Sequence, residues 1–212
     1  MFAVLLSIAH AAPTHTAMDG ASWSPVTTVS HADAGEIAIT SATVSGVDCF
    51  RGVATTDVAA DKMLSVVMDV EGSKSWSTAG ITDAKVLSNS GGVIAYYQYL
   101  DVPGWTMASD RFWFLQSTVR RDAGSVEFVW DPLPSSSPHA GVRSAYVTEH
   151  PDAVEPTVNV GSWKFSTAGE KVTVTYSICT QSGSIPAAIQ SAATRRTLPD
   201  TVGDVVRTAR KR

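Results

Sequence analysis

From Gly35 onward, apolar and polar side chains alternate with a period of two, the pattern of strands that bury one face. Ile37 and Ile39 open this pattern, and Val47, Cys49 and the β-rich run CFRGVAT continue it, punctuated by Gly46 and Gly52. The period then changes. Asp57 opens DVAADKMLSVVMD, in which Val58, Met63, Val66 and Val67 take helical spacing; this predicts a helix with Asp57 as N-cap, ending near Gly72. Ile81 to Leu100 reads as two strands joined at Asn89-Ser90-Gly91-Gly92. Past the loop DVPGWTMAS, broken by Pro103 and Gly104, RFWFLQSTVRR and SVEFVWDP form another antiparallel pair around a turn at Asp122 to Gly124. LPSSSPHAG is a loop. VRSAYVTEH, PTVNVGSWKF and KVTVTYSIC read as three further strands, for about nine in all.

The last segment returns to helical spacing through Ile185, Ile189, Ala192, Ala193, Leu198, Val202, Val205, Val206 and Ala209. Pro186 suits its first turn, and Pro199 predicts a kink or break at mid-length. Such a helix has to bury its stripe against the sheet. A curved antiparallel sheet closed over one helix can leave a cavity at its mouth. The expected fold is therefore α+β: an antiparallel sheet of about nine strands wrapped around a long C-terminal helix.

The amino end differs from the rest. MFAVLLSIAHAA is a short apolar run closed by small residues, with an A-x-A pattern at Ala9 to Ala11, and reads as a leader over residues 1–17 even though a positive n-region is missing. Residues 18–34 are polar and irregular, which predicts a linker on which Trp23 alone docks, with the domain spanning 35–212. A leader implies export to a periplasmic or extracellular space; without one the chain is cytoplasmic.

Composition removes several classes. The 212 residues carry 44% hydrophobic and 17% charged residues, enough apolar material for one sizeable core. A net charge of −4 lacks the basic footprint of a general nucleic-acid binder. Basic residues gather at the end, at Arg195, Arg196, Arg207, Arg210, Lys211 and Arg212. Two readings fit this tail: attraction to anionic lipid head groups, or cations that suit the helix dipole. Cys49 and Cys179 have no metal-ligand or CxxC spacing and are either two buried thiols or one disulfide.

No G-x-S-x-G, S-x-x-K, H-E-x-x-H, P-loop or G-x-G-x-x-G occurs, so the common catalytic chemistries have no address. His31, His139 and His150 fall in the linker, a proline-containing loop and a strand end, positions that suit solvated histidines; His150 beside Glu149 is the nearest to a catalytic candidate. No metal or cofactor is expected.

Gly161 to Arg207 resembles the C-terminal part of the START (steroidogenic-acute-regulatory-protein-related lipid transfer) domains. The shared features are a G-x-W strand at Gly161 to Trp163, the strand KVTVTY, GSIP leading into the final helix, and a late Leu198-Pro199. Upstream, CFRGVATTDVAADKMLSVVMDVEGSKSW is similar to the family's strand, helix, acidic turn and Trp, and Arg111 falls where the family has an Arg-Asp pair, with Phe112 in place of the Asp. The resemblance implies a helix-grip fold and an internal hydrophobic cavity holding one lipid, sterol, phospholipid or other. It also implies a gate formed by the final helix, with Ile189 and Val202, and by the loop from Asp101 to Asp110, with Trp105 and Met107. The family's layout pairs the strand before the first helix with the last strand, which brings Cys49 opposite Cys179 and makes a disulfide plausible.

In sterol-binding members an arginine and an acid meet in the tunnel; the corresponding positions here are Ser117 and Gln98, both neutral. Alternation then adds Trp113 and Leu115 beside Ser117, and Tyr96 and Leu100 beside Gln98, with Phe128 and Trp130 completing a lining that begins at Arg111. The implied function is non-catalytic binding and transfer of an apolar ligand by a monomer that touches membranes transiently. The alternative is a cyclase- or aromatase-like enzyme in the same cavity.

Overall fold

The computed structural model describes residues 12–104, 108–181 and 187–212. A short helix α1 (His15–Asp19) leads into β1 (Ser24–His31), β2 (Gly35–Val44) and β3 (Val47–Thr56). Two helices follow, α2 (Ala60–Met68) and α3 (Ser73–Trp76), then β4 (Ile81–Ser90), β5 (Val93–Leu100), β6 (Arg111–Asp122) and β7 (Ser125–Pro132). Helix α4 (Ala140–Glu149), β8 (Val158–Ala168), β9 (Lys171–Gln181) and the long α5 (Ala187–Lys211) complete the chain. The nine strands form one antiparallel sheet in the order β1-β2-β3-β9-β8-β7-β6-β5-β4, so the only non-sequential neighbours are β3 and β9. Their register places Cys49 directly opposite Cys179, and the two are disulfide-bonded.

The alternation seen in the sequence sorts side chains onto the two faces. Ile37, Phe50, Tyr96, Leu115, Phe128, Trp163 and Val174 point to the face that holds α2 and α5 and form the main core with Met63, Val66, Val202 and Val205. Gly52 lets α5 come close to β3, because a Cβ there would run into Leu198. Two smaller clusters cover the other face. Met18 of α1 packs over Val44, Val47, Val160 and the disulfide, and Tyr146 of α4 packs over Phe112 and Phe114.

Three expectations are corrected. Residues 18–34 are not a linker: Ser24–His31 is an edge strand paired along β2. Its burial pattern contains no fully buried residue, so a Ser/Thr/Val-rich edge carries no apolar alternation to read. Trp23 does dock, with the Arg51 guanidinium 3.9 Å from its ring centroid. VRSAYVTEH is helix α4, not a strand; among its buried positions only Tyr146 faces the sheet, while Val142 and Val147 are exposed. Asp57 does not cap α2, whose N-cap is Ala59; its carboxylate instead meets Arg210 at 2.8 Å. Helix α5 continues through Pro199, where the loss of one backbone hydrogen bond is offset by burial of Leu198 and Val202 on either side.

The basic residues at the end of α5 are partly spoken for. Arg207 pairs with Asp204 and lies 3.9 Å from Asp33, while Arg210 and Arg212 pair with Asp57 and Asp69 beside α2. Among the described residues no helix is long and apolar enough to cross a membrane.

Candidate functional site

Between the concave face of the sheet and α5 lies a cavity of about 340 Å³. Along α5, Val202, Val205 and Val206 fill the core, whereas Ala193, Thr194, Thr197 and Thr201 border open space. Strands β5 and β6 supply Tyr96, Gln98 and Leu100, and Arg111, Trp113 and Leu115; β7 supplies Phe128 and Trp130. These eight are residues singled out in the sequence, and the structure brings them together. Ser117 shares their face of β6 and is buried, but it is not part of the lining.

The lining is largely apolar, with polar groups that mostly satisfy one another. Gln98 donates to Ser73 Oγ at 3.2 Å, and Trp130 Nε1 donates to Asn159 Oδ1 at 2.9 Å. Thr197 and Thr201 turn their hydroxyls back to the carbonyls of Ala193 and Thr197. Arg111, only 4% exposed, donates to the carbonyls of Ser109 at 2.6 Å and Asp110 at 3.2 Å. Burial lowers its pKa and the neighbouring Asp110 works against that shift. No carboxylate is among the described lining residues. Burial also pushes the phenols of Tyr96 and Tyr176 far above the ordinary tyrosine range; for Tyr96 the Ser117 hydroxyl opposes the shift.

The sequence missed a second wall. Trp163, Tyr176 and Ile178 lie on the inward faces of β8 and β9, and the period-two alternation that found Trp113 and Leu115 identifies them equally well. Ser73 and Trp76 of α3 carry no such signal, and Thr194, Thr197 and Thr201 read as solvent-side helix positions because they are polar.

Of the gate residues, Trp105 and Met107 lie outside the described residues, as does the side chain of Ile189 in the first turn of α5. Val202 is not at the mouth: it is fully buried and packs over Gly52 with Leu198, because one further turn along α5 carries it into the core. The loop near Trp105 does border the cavity through Val102 and Pro103. Asp110 ties both its ends, accepting from the Val102 N–H and from the Tyr99 hydroxyl, each at 2.9 Å.

The three histidines are placed elsewhere. His31 ends β1, 3.7 Å from Asp200; His139 lies 3.0 Å from Ser88 Oγ; His150 packs at a tilt against the rings of Tyr99 and Tyr146. None of them lines the cavity. Among the described residues no cluster of His, Cys, Asp or Glu could hold a metal ion.

No protein-family model and no curated protein matches this sequence. Solved structures do. A STAR-related lipid transfer protein from Xanthomonas axonopodis superposes with a TM-score of 0.68 at 21% identity, covering 89% of this chain and 98% of that one. Human STARD10 gives 0.69 at 14% identity, over 89% and 73% of the two chains. The Streptomyces aromatase/cyclase Zhui gives 0.55 at 12% identity, over 77% and 94%. The order of elements, the antiparallel sheet closed over its C-terminal helix and these superpositions together give the chain the helix-grip fold of the START lipid transfer domains.

Proposed function

We propose that the protein binds one apolar ligand in this cavity and passes it between membranes without changing it covalently. The observation that carries the reading is the cavity itself, walled by Tyr96, Leu115, Phe128 and Trp130 on the sheet and by Leu198 on α5. Enclosing apolar surface there stabilises a complex by about 25 cal/mol per Å². A volume of about 340 Å³ is at the lower end of the range for ligand pockets and suits one fused-ring system or single chain. The START proteins of the same fold are named for lipid transfer, which supports the same class of ligand.

The loop from Asp101 to Asp110 and the start of α5 form the gate, and Trp105 makes the transient membrane contact. Trp105→Ala then slows transfer between vesicles and changes equilibrium binding less; an unaltered transfer rate removes Trp105 from the gate. The protein works as an exported monomer, a setting that suits its disulfide.

Mass spectrometry of small molecules extracted from protein purified gently out of a membrane-containing lysate tests the reading. One stoichiometric lipid, unchanged on incubation, is the expected result. An empty protein that binds no sterol, phospholipid or carotenoid overturns it. The second reading, a cyclase-like enzyme, is favoured by the likeness to the aromatase/cyclase Zhui; turnover of a reactive chain by the pure protein would establish it.

A further inference from the structure

The concave face of the sheet changes character at one corner. Along β2 the inward positions run Ile37, Ile39, Ser41 and Thr43, so two core residues give way to two hydroxyls toward the end of the strand. The neighbouring strands change with it: the register sets Ser24 of β1 opposite Ser41, and Asp48 of β3 opposite Thr43. With Ser22, half-buried Val26, the ring of Phe50 and Arg195 of α5, these residues wall a second pocket of about 350 Å³. Ala193 and Thr197, two residues to either side of Arg195, are turned about 160° from it and border the apolar cavity. This turn of α5 therefore parts an apolar chamber from a polar one.

The exposed end of a sheet is ordinarily covered by lysine and glutamate stems, and neither residue type is among the described lining of this pocket. Short hydroxyl side chains leave a hollow instead, and they have little rotamer freedom to lose when a ligand is held. The hydroxyls of Ser22, Ser24 and Ser41 make no hydrogen bond to other described residues. Thr43 Oγ1 donates to Asp48 Oδ1 at 3.2 Å, which orients the carboxylate and leaves its second oxygen for a ligand. Opposite charges on Asp48 and Arg195 favour neither a simple anion nor a simple cation. A carboxylate that accepts, a guanidinium that donates and hydroxyls that do both match a molecule with several hydroxyls of its own. Val26 and Phe50 add apolar surface for the C–H face of its ring.

We propose that this pocket is a saccharide or polyol site, separate from the apolar cavity, which takes a neutral polyhydroxylated ring either free or as the head group of a glycolipid.

Glucose, galactose, mannose and myo-inositol, titrated into the ¹⁵N-labelled full chain at up to about 50 mM, test this, with phosphocholine and inorganic phosphate as charged comparisons. One or more of the rings is expected to bind, with amide shifts confined to residues 22–26 and 41–50 and to the turn around Arg195. Asp48→Asn should weaken that binding about tenfold, and Ser41→Leu, which fills the hollow, should abolish it. Both variants should keep the wild-type amide spectrum away from the pocket, which shows that they are folded. Phosphatidylcholine vesicles with and without a monoglucosyl diacylglycerol separate the two sources. Preferential co-sedimentation with the glycolipid vesicles, lost in Asp48→Asn, assigns a lipid head group; binding of a free ring without that preference assigns a soluble ligand. The proposal is overturned by a lack of binding to all the rings and to the glycolipid, by shifts outside the pocket, by binding that both substitutions leave unchanged, or by tighter binding of phosphocholine or phosphate at these residues. The reading of the apolar cavity stands in each of those cases.

Discussion

Asp204, fully buried on α5, accepts hydrogen bonds from both the backbone N–H and the hydroxyl of Thr78, in the segment between α3 and β4. Arg207 completes the arrangement from one turn further along the helix. One carboxylate thus fastens the C-terminal half of α5 to a neighbour of the cavity-lining Ser77 and Ala79. Asp204→Ala removes the acceptor of the Thr78 N–H and hydroxyl and leaves Arg207 with the Asp33 carboxylate alone, and is expected to cost about 1–3 kcal/mol in urea denaturation. Asp204→Asn keeps one acceptor and should cost less.

The bond between Cys49 and Cys179 closes a loop of 130 residues. On the chain-entropy estimate such a crosslink contributes roughly 5 kcal/mol. Replacing both cysteines by serine should lower the urea midpoint accordingly, and adding reductant to the wild type should approach the same midpoint. Thiol titration of the unfolded, unreduced protein is expected to find no free thiol; two titratable thiols would remove the bond.

All of the protein's five tyrosines, Tyr96, Tyr97, Tyr99, Tyr146 and Tyr176, have pKa values raised above 10, with burial the largest cause in each; Tyr97 and Tyr99 rise to about 12. A group whose folded pKa exceeds its unfolded value contributes stability that is intact below the unfolded pKa and is lost as pH climbs toward the folded one. Stability should therefore be level with respect to tyrosine below about pH 10 and fall above it. Absorbance at 295 nm should show little tyrosinate in native protein at pH 10.5, then a cooperative rise as the protein unfolds. Independent titration of several tyrosines near pH 10 in folded protein would contradict this.

Leu115 stands on β6 between Trp113 and Ser117 and faces the cavity. Leu115→Trp has empty space ahead of it, so the usual overpacking cost of 1–3 kcal/mol is reduced. The variant is expected to keep its melting temperature within a few degrees and to bind apolar probes at least tenfold more weakly. Unchanged binding would show that ligands lie elsewhere.

The strands from Gly35 onward were legible because one face of each is buried: Ile37 and Ile39, or Val172, Val174 and Ile178, give a period-two signal that a solvent-facing strand lacks. The same logic explains the failures. Strand β1 is an edge with no buried residue, and α4 exposes Val142 and Val147, so apolarity there does not report which face is covered. The sheet-side wall of the cavity was readable from alternation, as Trp113, Leu115 and Tyr96 illustrate. The helix-side wall was not, because Thr197 and Thr201 satisfy their hydroxyls within α5 and so sit comfortably in an apolar chamber while reading as surface.

The ion pairs of α5 with Asp33, Asp57, Asp69 and its own Asp204 all come from residues beyond Pro199, while Ala193, Thr194 and Thr197 border the cavity before it. These pairs tie the C-terminal part of the helix to its neighbours. On the gate proposed above, cargo would pass beside the cavity-lining turns while these pairs stay closed, so the work of letting it through would be separate from the work of unfolding. A variant can be slow to exchange yet stable, or fragile yet quick, and the two properties can be tuned by residues on opposite sides of a single proline.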